Sequence, residues 1–483
     1  MDAKPTTAKA FVSAFAILTI WAALADVPFF RLEGPDDAFY LEVGHLWARG
    51  LPPYLAAFDV KPPGFFALLA LVDVVVGPHL ETLRAIAVLF TALAATALYF
   101  LARDAAGRPA GVLCAVLYPV VFEIYGDAAY APLCALTIVA FLAALSRAPL
   151  LARAAMSGLA IGAAATVKQT AALAALALLV VLLRAADAPN RRAGAAAAFV
   201  GAASLPPLAF LAYFAAIGAV VPLLTDVVAL ALNRPTSAAE SITFWQGFAR
   251  LAYLQAPLLP ITVAAVAGLF GRSERTNAIP IGAIALWLAA EVVALLAQHA
   301  ISPYYLTPAL APLLLLAAIG LTKIPDAGKS WMGVAKPALF GAVAIVAVTA
   351  LRGAHVVSHA LAADDRATLG AKAAIESTRP DPTDRLLVVS RGGLIYGASG
   401  LDPPTPYYEW AQTLCDFPGA GLPRLAEAIA SRPRYLVVAD RSKRYPCEQD
   451  SQWALVDDAL RTSYRLLARA DGDYDFYEVY QRK

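Results

Sequence analysis

The stretch TLRAIAVLFTALAATALYFL, residues 82–101, decides the class of this chain. An α-helix needs about 20 predominantly apolar residues to cross the hydrocarbon core of a bilayer, and this stretch has that length with one charge, Arg84. Similar stretches recur along the chain, which has 483 residues and is 60% hydrophobic and only 15% charged. Because soluble domains are about one quarter charged, the composition predicts a polytopic α-helical membrane protein.

About eleven transmembrane helices are predicted, with the N-terminus in the cytoplasm. They lie near 10–28, 82–101, 109–124, 128–146, 155–167, 170–184, 194–217, 253–270, 278–298, 303–322 and 336–353. With this count the cytoplasmic loops carry most of the Arg and Lys residues, as the positive-inside rule requires. The apolar run 65–77 is short and contains Asp73, and counting it as a span would reverse that charge distribution. We therefore predict a juxtamembrane or re-entrant helix there, on the outer face.

The composition changes after residue 353, where charged and polar residues return. We predict a transmembrane domain over 1–353, with a first outer loop at 29–81, and a small extracytoplasmic α/β domain over 354–483. Its predicted elements are strands at 385–390 and 434–440, helices at 421–432 and 453–463, and a closing strand pair from YRLLARA and YDFYEVYQR. Because the tail is predicted to lie outside the cytoplasm, a disulfide between Cys415 and Cys447 is permitted, and two free thiols are the equal alternative.

The loop after the first span concentrates charge near the membrane: PDDAFYLEVGHLWARGLPPYLAAFDVKPPG, residues 35–64. Asp36 and Asp37 precede Tyr40 by about one helical turn, and Lys61 follows beside a rigid proline pair. Acidic and basic side chains at the edge of a membrane are costly unless a pocket uses them. The alternative interpretations are that the two acids cap a helix and that the lysine reaches to the headgroups.

Three motifs of this loop resemble the first outer loop of bacterial GT-C glycosyltransferases: DDAFY at 36–40, GLPPY at 50–54 and DVKPPG at 59–64. The segment SPYYLTPALAP at 302–312 adds to the similarity. The resemblance is to protein mannosyltransferase-like enzymes, which are similar to glycosyltransferase family 39 and to the aminoarabinose transferase of lipid A. It implies transfer of a sugar from a polyprenyl-phosphate-linked donor to a lipid, glycan or protein acceptor. The expected location is the outer face of the bacterial inner membrane, with the tail domain in the periplasm.

The resemblance also implies roles for individual residues. Asp36 or Asp37 would act as the base or position the acceptor, and Lys61 would contact the lipid phosphate. These enzymes usually carry a second acid in the next outer loop, where this chain has Ala131; Asp127, one turn earlier, is expected to take its place. Further substrate or phosphate contacts are expected from Tyr40, Tyr54, Arg84, Lys168, Tyr304 and Tyr305.

Ordinary structural roles stand beside several of these interpretations. Arg84, Lys168 and the tyrosine pair are also typical of residues at a membrane interface. The segment 226–251 mixes polar and apolar residues and is interpreted as an interfacial helix, with a loop over the site as the alternative. No cofactor is expected to be required, since no group of residues has the spacing of metal ligands. A divalent cation held by Asp36 and Asp37 is the alternative.

Two other classes of function compete with the enzyme. A transporter or flippase of lipid-linked sugars is the main alternative, but a secondary transporter is expected to show two matching halves with broken helices, and this sequence shows no such repeat. A membrane protein whose tail binds cell-wall glycans would leave the charges of the loop 35–64 unexplained. The net charge of +2 gives no indication of a nucleic-acid partner. The expected partners are therefore the lipid-linked donor, the acceptor and membrane lipids.

Overall fold

The structure is a computed structural model of the whole chain. It describes residues 6–26, 35–77, 80–230, 232, 258–270, 280–296, 303–323, 366–390, 394–408, 418–443, 448–472 and 476–483. The chain forms two compact units. The first unit comprises 1–30, 84–210 and 242–355, and the second comprises 31–83, 211–241 and 356–483.

The first unit is built almost entirely from apolar helices. They are α1 (Thr6–Asp26), α4 (Leu80–Ala106), α5 (Arg108–Tyr125), α6 (Tyr130–Ala144), α7 (Leu150–Val167), α8 (Ala171–Arg184), α9 (Pro189–Ala216), α11 (Leu259–Phe270), α12 (Ile281–Leu296) and α13 (Thr307–Lys323), the last preceded by a 3₁₀ turn, Pro303–Leu306. Helix α4 begins, and α9 ends, in residues of the second unit. Each predicted span except 336–353, which lies outside the described residues, therefore contains a helix.

Five of the described helices are long and apolar enough to cross a membrane. They are Lys9–Asp26, Thr82–Ala106, Leu150–Val167, Pro189–Ala216 and Tyr304–Leu321. Several others are apolar but shorter. The prediction of a mostly helical membrane protein is thus confirmed, whereas the count of eleven spans stays a prediction.

Close packing of helices in the first unit depends on two glycines four residues apart. A Cβ atom on Gly162 would lie 2.2 Å from the carbonyl oxygen of Ala203, and one on Gly158 would lie 2.3 Å from the carbonyl oxygen of Phe199. Glycines at this spacing form one small-residue stripe on α7, which lets the backbone of α9 approach. A side chain larger than that of glycine at either position would therefore force the two helices apart.

The second unit combines helices near the N-terminus with the C-terminal tail. Its elements are α2 (Pro35–Ala48), α3 (Gly64–Val76), α10 (Val220–Leu224), the π-helical turn Thr225–Leu230, α14 (366–377), β1 (Leu386–Val389), α15 (Leu394–Ser399), α16 (Pro418–Ala430), β2 (Tyr435–Ala439), α17 (Asp450–Ser463), β3 (Tyr464–Asp471) and β4 (Phe476–Arg482). The predicted short helix at 65–77 is α3, which is 13 residues long. That length is short for a span.

The four strands form one sheet in the order β1-β2-β4-β3. Strands β1 and β2 are parallel, and the other neighbouring pairs are antiparallel. All residues of β1 and β2 are buried, as expected for strands covered on both faces. Helices α16 and α17 contribute Leu425, Trp453 and Val456 to the same hydrophobic core. The predicted strands and helices of the tail lie where the sequence places them, within a few residues.

The loop 35–64 and the tail are joined within the second unit by ion pairs and by a backbone hydrogen bond. Asp402 accepts hydrogen bonds from Arg49, at the end of α2, and from Arg385, just before β1, each at 2.5 Å. The amide of Phe58 donates to the carbonyl of Pro406 at 2.8 Å. Our division of the chain at residue 353 follows the predicted membrane topology and stays a prediction. In the structure, the loop and the tail share one compact unit.

Candidate functional site

The second unit holds a group of side chains around Lys61 that we call the Lys61 cluster: Tyr40, Tyr54, Asp59 and Lys61. The ammonium nitrogen of Lys61 lies 3.7 Å from Oδ2 of Asp59 and 4.6 Å from the centre of the Tyr40 ring. The Tyr54 hydroxyl donates to the carbonyl oxygen of Lys61 at 2.7 Å. Three of the residues predicted to bind substrate, Tyr40, Tyr54 and Lys61, are therefore brought together.

The local backbone fixes the direction of Lys61. Asp59 accepts a hydrogen bond from the Lys61 amide at 2.8 Å, a side-chain turn typical of aspartate. Tyr54 has a φ of +67°, and its amide donates to the Ala57 carbonyl at 2.7 Å, which closes the loop. Pro62 and Pro63 then lead into α3 at Gly64. Hydrogen bonds before the lysine and a proline pair after it thus constrain the loop on both sides.

In this cluster the Lys61 ammonium group is paired with a buried carboxylate and stays partly accessible to solvent. Asp59 is fully buried and its Oδ2 has no hydrogen-bond partner among the described residues, although Lys61 lies near it. The Lys61 side chain retains 27% of its exposure. A second anion reaching this ammonium group would gain a charge-assisted contact, the kind of interaction that binds phosphate oxygens. Burial, and the neighbouring Asp59 and Asp226, raise the pKa of Tyr54 well above its ordinary value.

Two charged residues near this cluster were not singled out from the sequence. Arg424, on α16, places its guanidinium group 4.0 Å from the centre of the Tyr407 ring and 4.8 Å from that of Phe58. Asp226, in the π-helical turn, is 8% exposed. The one signal in the sequence was the solitary acid in the apolar run VVPLLTDVVALAL, 220–232. Arg424 offered none, because only the fold brings α16 to the loop.

Asp36 and Asp37 lie in the first turn of α2. Their side chains are outside the described residues, so their roles as base or acceptor-positioning group stay predictions. Because α2 begins at Pro35, both acids lie inside its first turn and not at the N-cap position that the capping interpretation requires.

In the first unit, four aromatic and basic residues form a second group, the Lys168 cluster: Tyr130, Lys168, Tyr304 and Tyr305. The Lys168 ammonium group lies 4.2 Å from the Tyr130 ring centre and 4.4 Å from that of Tyr305, and it donates to the Tyr130 hydroxyl. The rings of Tyr304 and Tyr305 are 4.7 Å apart. Three predicted contact residues thus meet, and Tyr130, which the sequence analysis did not select, holds them together.

Asp127 is linked to this second cluster through the backbone. Its carboxylate accepts a hydrogen bond from the Ala129 amide at 2.8 Å, and its carbonyl accepts one from the Tyr130 amide at 2.9 Å. Asp127 therefore begins the turn that leads into α6. Elsewhere in the first unit, Arg84 forms an ion pair with Asp26. That ion pair offsets part of the free-energy cost of placing a charged side chain near a membrane. A phosphate contact by Arg84 stays a prediction.

The described residues contain no group of three His, Cys, Asp or Glu side chains that could hold a metal ion. A divalent cation at Asp36 and Asp37 remains an alternative, because the side chains of that pair are outside the described residues. Cys415 and Cys447 also lie outside them, so their pairing stays open. Among the described cysteines, Cys114 and Cys134 are free and buried.

The helical architecture is shared with solved membrane proteins of the GT-C fold. Residues 60–207 match the family described as dolichyl-phosphate-mannose-protein mannosyltransferase. The matched segment includes Lys61, Arg84, Asp127 and Lys168. Among curated proteins, no sequence matches this chain significantly. The resemblance to GT-C glycosyltransferases, first noted in the loop motifs, is confirmed by the family match and by the fold.

Solved structures with this fold come from several organisms. The structure of ArnT from Cupriavidus metallidurans bound to undecaprenyl phosphate has a TM-score of 0.61 and 15% sequence identity, and the match covers 99% of this chain and 98% of that one. The archaeal oligosaccharyltransferase AglB from Archaeoglobus fulgidus, in complex with an inhibitory peptide and a dolichol-phosphate, has a TM-score of 0.50 and 14% identity over 88% of this chain and 69% of that one. The arabinofuranosyltransferase AftD from Mycobacteria has a TM-score of 0.50 and 17% sequence identity. The match covers 97% of this chain and 40% of that one.

Proposed function

We propose that this chain is an integral membrane glycosyltransferase that moves a sugar from a polyprenyl-phosphate-linked donor to a lipid, glycan or protein acceptor. The observation that carries the proposal is the Lys61 cluster. A half-buried lysine is held by Asp59 and Tyr40 within the family-matched segment, in the motif through which GT-C enzymes contact the lipid phosphate. The fold is shared with two proteins whose structures contain undecaprenyl phosphate and dolichol-phosphate.

In this proposal Lys61 stabilises the leaving phosphate. As the bond between the sugar and the phosphate breaks, negative charge grows on the phosphate oxygens. A fixed ammonium group stabilises that charge without reorganisation, which is the main source of catalysis in many enzymes. Asp59 holds the lysine by its amide and its ammonium group, and the Tyr40 ring limits its rotamers. The partial exposure of Lys61 leaves room for the phosphate.

The other predicted residues keep their proposed roles. Asp36 or Asp37 acts as the base or positions the acceptor, a task for which carboxylates are suited. Tyr40 and Tyr54 shape the Lys61 cluster. In the first unit, Lys168 and Tyr304–Tyr305 contact substrate, and Asp127 supports them through the turn before Tyr130. An organic cofactor is not part of this chemistry.

We further propose the topology that the sequence predicts: about eleven spans in the bacterial inner membrane, with the N-terminus in the cytoplasm and the α/β tail in the periplasm. The support is the Arg and Lys content of the predicted cytoplasmic loops and the contact between the first outer loop and the tail, through Asp402 and Pro406. Two segments joined in one unit must lie on the same side of a membrane. The topology is therefore internally consistent.

The test is a variant series in cells that lack the native gene product. We expect Lys61→Ala to lower the yield of the glycosylated envelope product about 10²–10³-fold, the usual effect of removing a group that stabilises transition-state charge. Lys61→Arg should retain part of the activity. Lys372→Ala, at a lysine with a 37% exposed side chain that pairs with Glu376, is the control and should match the wild type. Mass spectrometry of envelope lipids and glycans measures the product.

Two outcomes would contradict the proposed glycosyltransferase activity. If Lys61→Ala, Asp36→Asn and Asp37→Asn all insert normally and leave every envelope product unchanged, the transferase is excluded. If the protein in vesicles moves a labelled lipid-linked sugar across the bilayer and the sugar stays on its carrier, the protein is a flippase and not a transferase.

A further inference from the structure

Arg424, on α16, is held against the loop 35–64 by two aromatic rings. Its guanidinium group lies 4.8 Å from the centre of the Phe58 ring and 4.0 Å from that of the Tyr407 ring, and the two ring centres are 5.5 Å apart. The Phe58 amide donates to the carbonyl of Pro406, next to Tyr407, at 2.8 Å. A backbone hydrogen bond therefore joins the two segments whose rings hold the guanidinium group.

The guanidinium group of Arg424 has no anionic partner among the described residues. Neither a hydrogen bond nor an ion pair engages it there, and its nitrogen Nη1 is buried without a hydrogen-bond partner. The faces of aromatic rings attract a cation, but they leave its N–H donors unsatisfied. A buried donor without an acceptor destabilises the fold, so a purely structural role leaves this cost unexplained.

Other arginines over aromatic rings in the tail show what Arg424 lacks. Three of them lie in the described part of the tail, and each also pairs with a carboxylate: Arg434 with Asp384, Arg441 with Asp457 and Arg469 with Asp471. Arg441 is the closest match to Arg424, since its guanidinium group lies 4.6 Å from the centre of the Trp453 ring. The ring contact is thus completed by an anion in each of these pairs, and at Arg424 a ligand would have to supply that anion.

We propose that Arg424 is a further substrate-binding residue, which binds a phosphate group; this inference rests on the proposed function. A guanidinium group offers several N–H donors in a planar fork that matches pairs of phosphate oxygens, and such charge-assisted hydrogen bonds are among the strongest in proteins. Phe58 directly precedes Asp59, which holds Lys61, so the site lies on the loop of the Lys61 cluster. Two sources have this chemistry: the polyprenyl phosphate of the donor and a phosphate on a lipid acceptor.

The experiment measures the binding of three lipids to purified full-length protein in detergent micelles, by native mass spectrometry. Undecaprenyl phosphate carries the phosphate of the donor, phosphatidic acid presents a phosphate on a different lipid, and undecaprenol has the isoprenoid chain without phosphate. The variants are Arg424→Gln and Arg424→Lys. Arg441→Gln is the matched control, because Arg441 also lies over a ring but already pairs with Asp457.

We expect Arg424→Gln to raise the dissociation constant of at least one of the two phosphate lipids about 10–100-fold, the usual effect of losing hydrogen bonds to a charged group. Arg424→Lys should weaken binding less, since the charge remains but the fork is lost. Undecaprenol should bind to every variant as it binds to the wild type, and Arg441→Gln should match the wild type for all three lipids.

The pattern of losses identifies the source of the phosphate. A loss confined to undecaprenyl phosphate assigns Arg424 to the donor, and a loss confined to phosphatidic acid assigns it to a phosphate of the acceptor. A loss for both lipids means that the site binds a phosphate whatever lipid carries it.

The inference is overturned if Arg424→Gln binds both phosphate lipids as the wild type does, or if it binds undecaprenol more weakly by the same factor. If Arg424→Gln does not fold, Arg424→Lys decides, and wild-type affinity for both phosphate lipids overturns the inference. Failure of the proposed function looks different, because wild-type protein then transfers no sugar from a lipid-linked donor. If Lys61→Ala abolishes transfer while Arg424→Gln binds both phosphate lipids normally, the transferase stands and only the role of Arg424 falls.

Discussion

At the scale of single residues, the second unit contains a buried acid besides Asp226. Glu42 lies on α2 and is 3% exposed. Burial, and secondarily the neighbouring Asp402 and Asp73, raise its pKa to about 8, while Arg49 opposes the rise. Such a group favours the folded state below its ordinary pKa of 4.5, and this contribution is lost as the pH rises through about 8.

We therefore expect Glu42→Gln to flatten the pH dependence of stability. Between about pH 4.5 and pH 8 the free energy of unfolding of the wild type should fall by about 1.4 kcal/mol for each pH unit, because the unfolded chain releases this proton while folded Glu42 retains it. The glutamine variant should lose less, and should be the more stable protein at the alkaline end. Thermal unfolding of detergent-solubilised protein measures this. Glu376→Gln, at a glutamate with a 57% exposed side chain, is the control; equal slopes in wild type and Glu42→Gln would contradict the prediction.

At the scale of elements, the approach of α7 and α9 depends on Gly158 and Gly162. A methyl group on Gly162 would meet the Ala203 carbonyl at a distance that no Cβ atom tolerates, so one helix must move. We expect Gly162→Ala to destabilise the protein by about 1–3 kcal/mol, the usual cost of overpacking. The measurement is the apparent melting temperature in detergent.

Gly201→Ala is the matched control for the helix pair. Gly201 is also helical, on α9, and a Cβ atom there meets nothing within 4 Å. The alanine should leave stability unchanged or raise it slightly, since alanine has the higher helix propensity. If both glycine variants behave alike, close packing at Gly162 does not limit the stability of this helix pair.

At the scale of the whole molecule, the second unit unites the loop 35–64 with a tail more than three hundred residues away. Asp402 is the central link, because it accepts from both Arg49 and Arg385 and its side chain is only 5% exposed. We expect Asp402→Asn to cost about 1–3 kcal/mol, since two arginine donors lose a charged acceptor. A fall in the apparent melting temperature, together with faster proteolysis of the loop 35–64, would show this loss of stability.

The control for Asp402 is a matched arginine–aspartate pair on the surface. Asp457 pairs with Arg441, and both side chains are more than 40% exposed. Exposed pairs contribute at most about 1 kcal/mol, so Asp457→Asn should have little effect. An Asp402→Asn protein as stable and as protease-resistant as this control would mean that the loop is held by its apolar and backbone contacts.

The sequence by itself determined the helical membrane class, the helices of the described apolar spans and the strands of the tail, because each follows from local composition and periodicity. It also identified Lys61, Tyr40 and Tyr54 as one group, since they lie within 22 residues of one loop. Tyr130, Asp226 and Arg424 were decided only by the tertiary structure. Their neighbours are far away in sequence, and neither periodicity nor a local motif reports a contact that long-range packing creates.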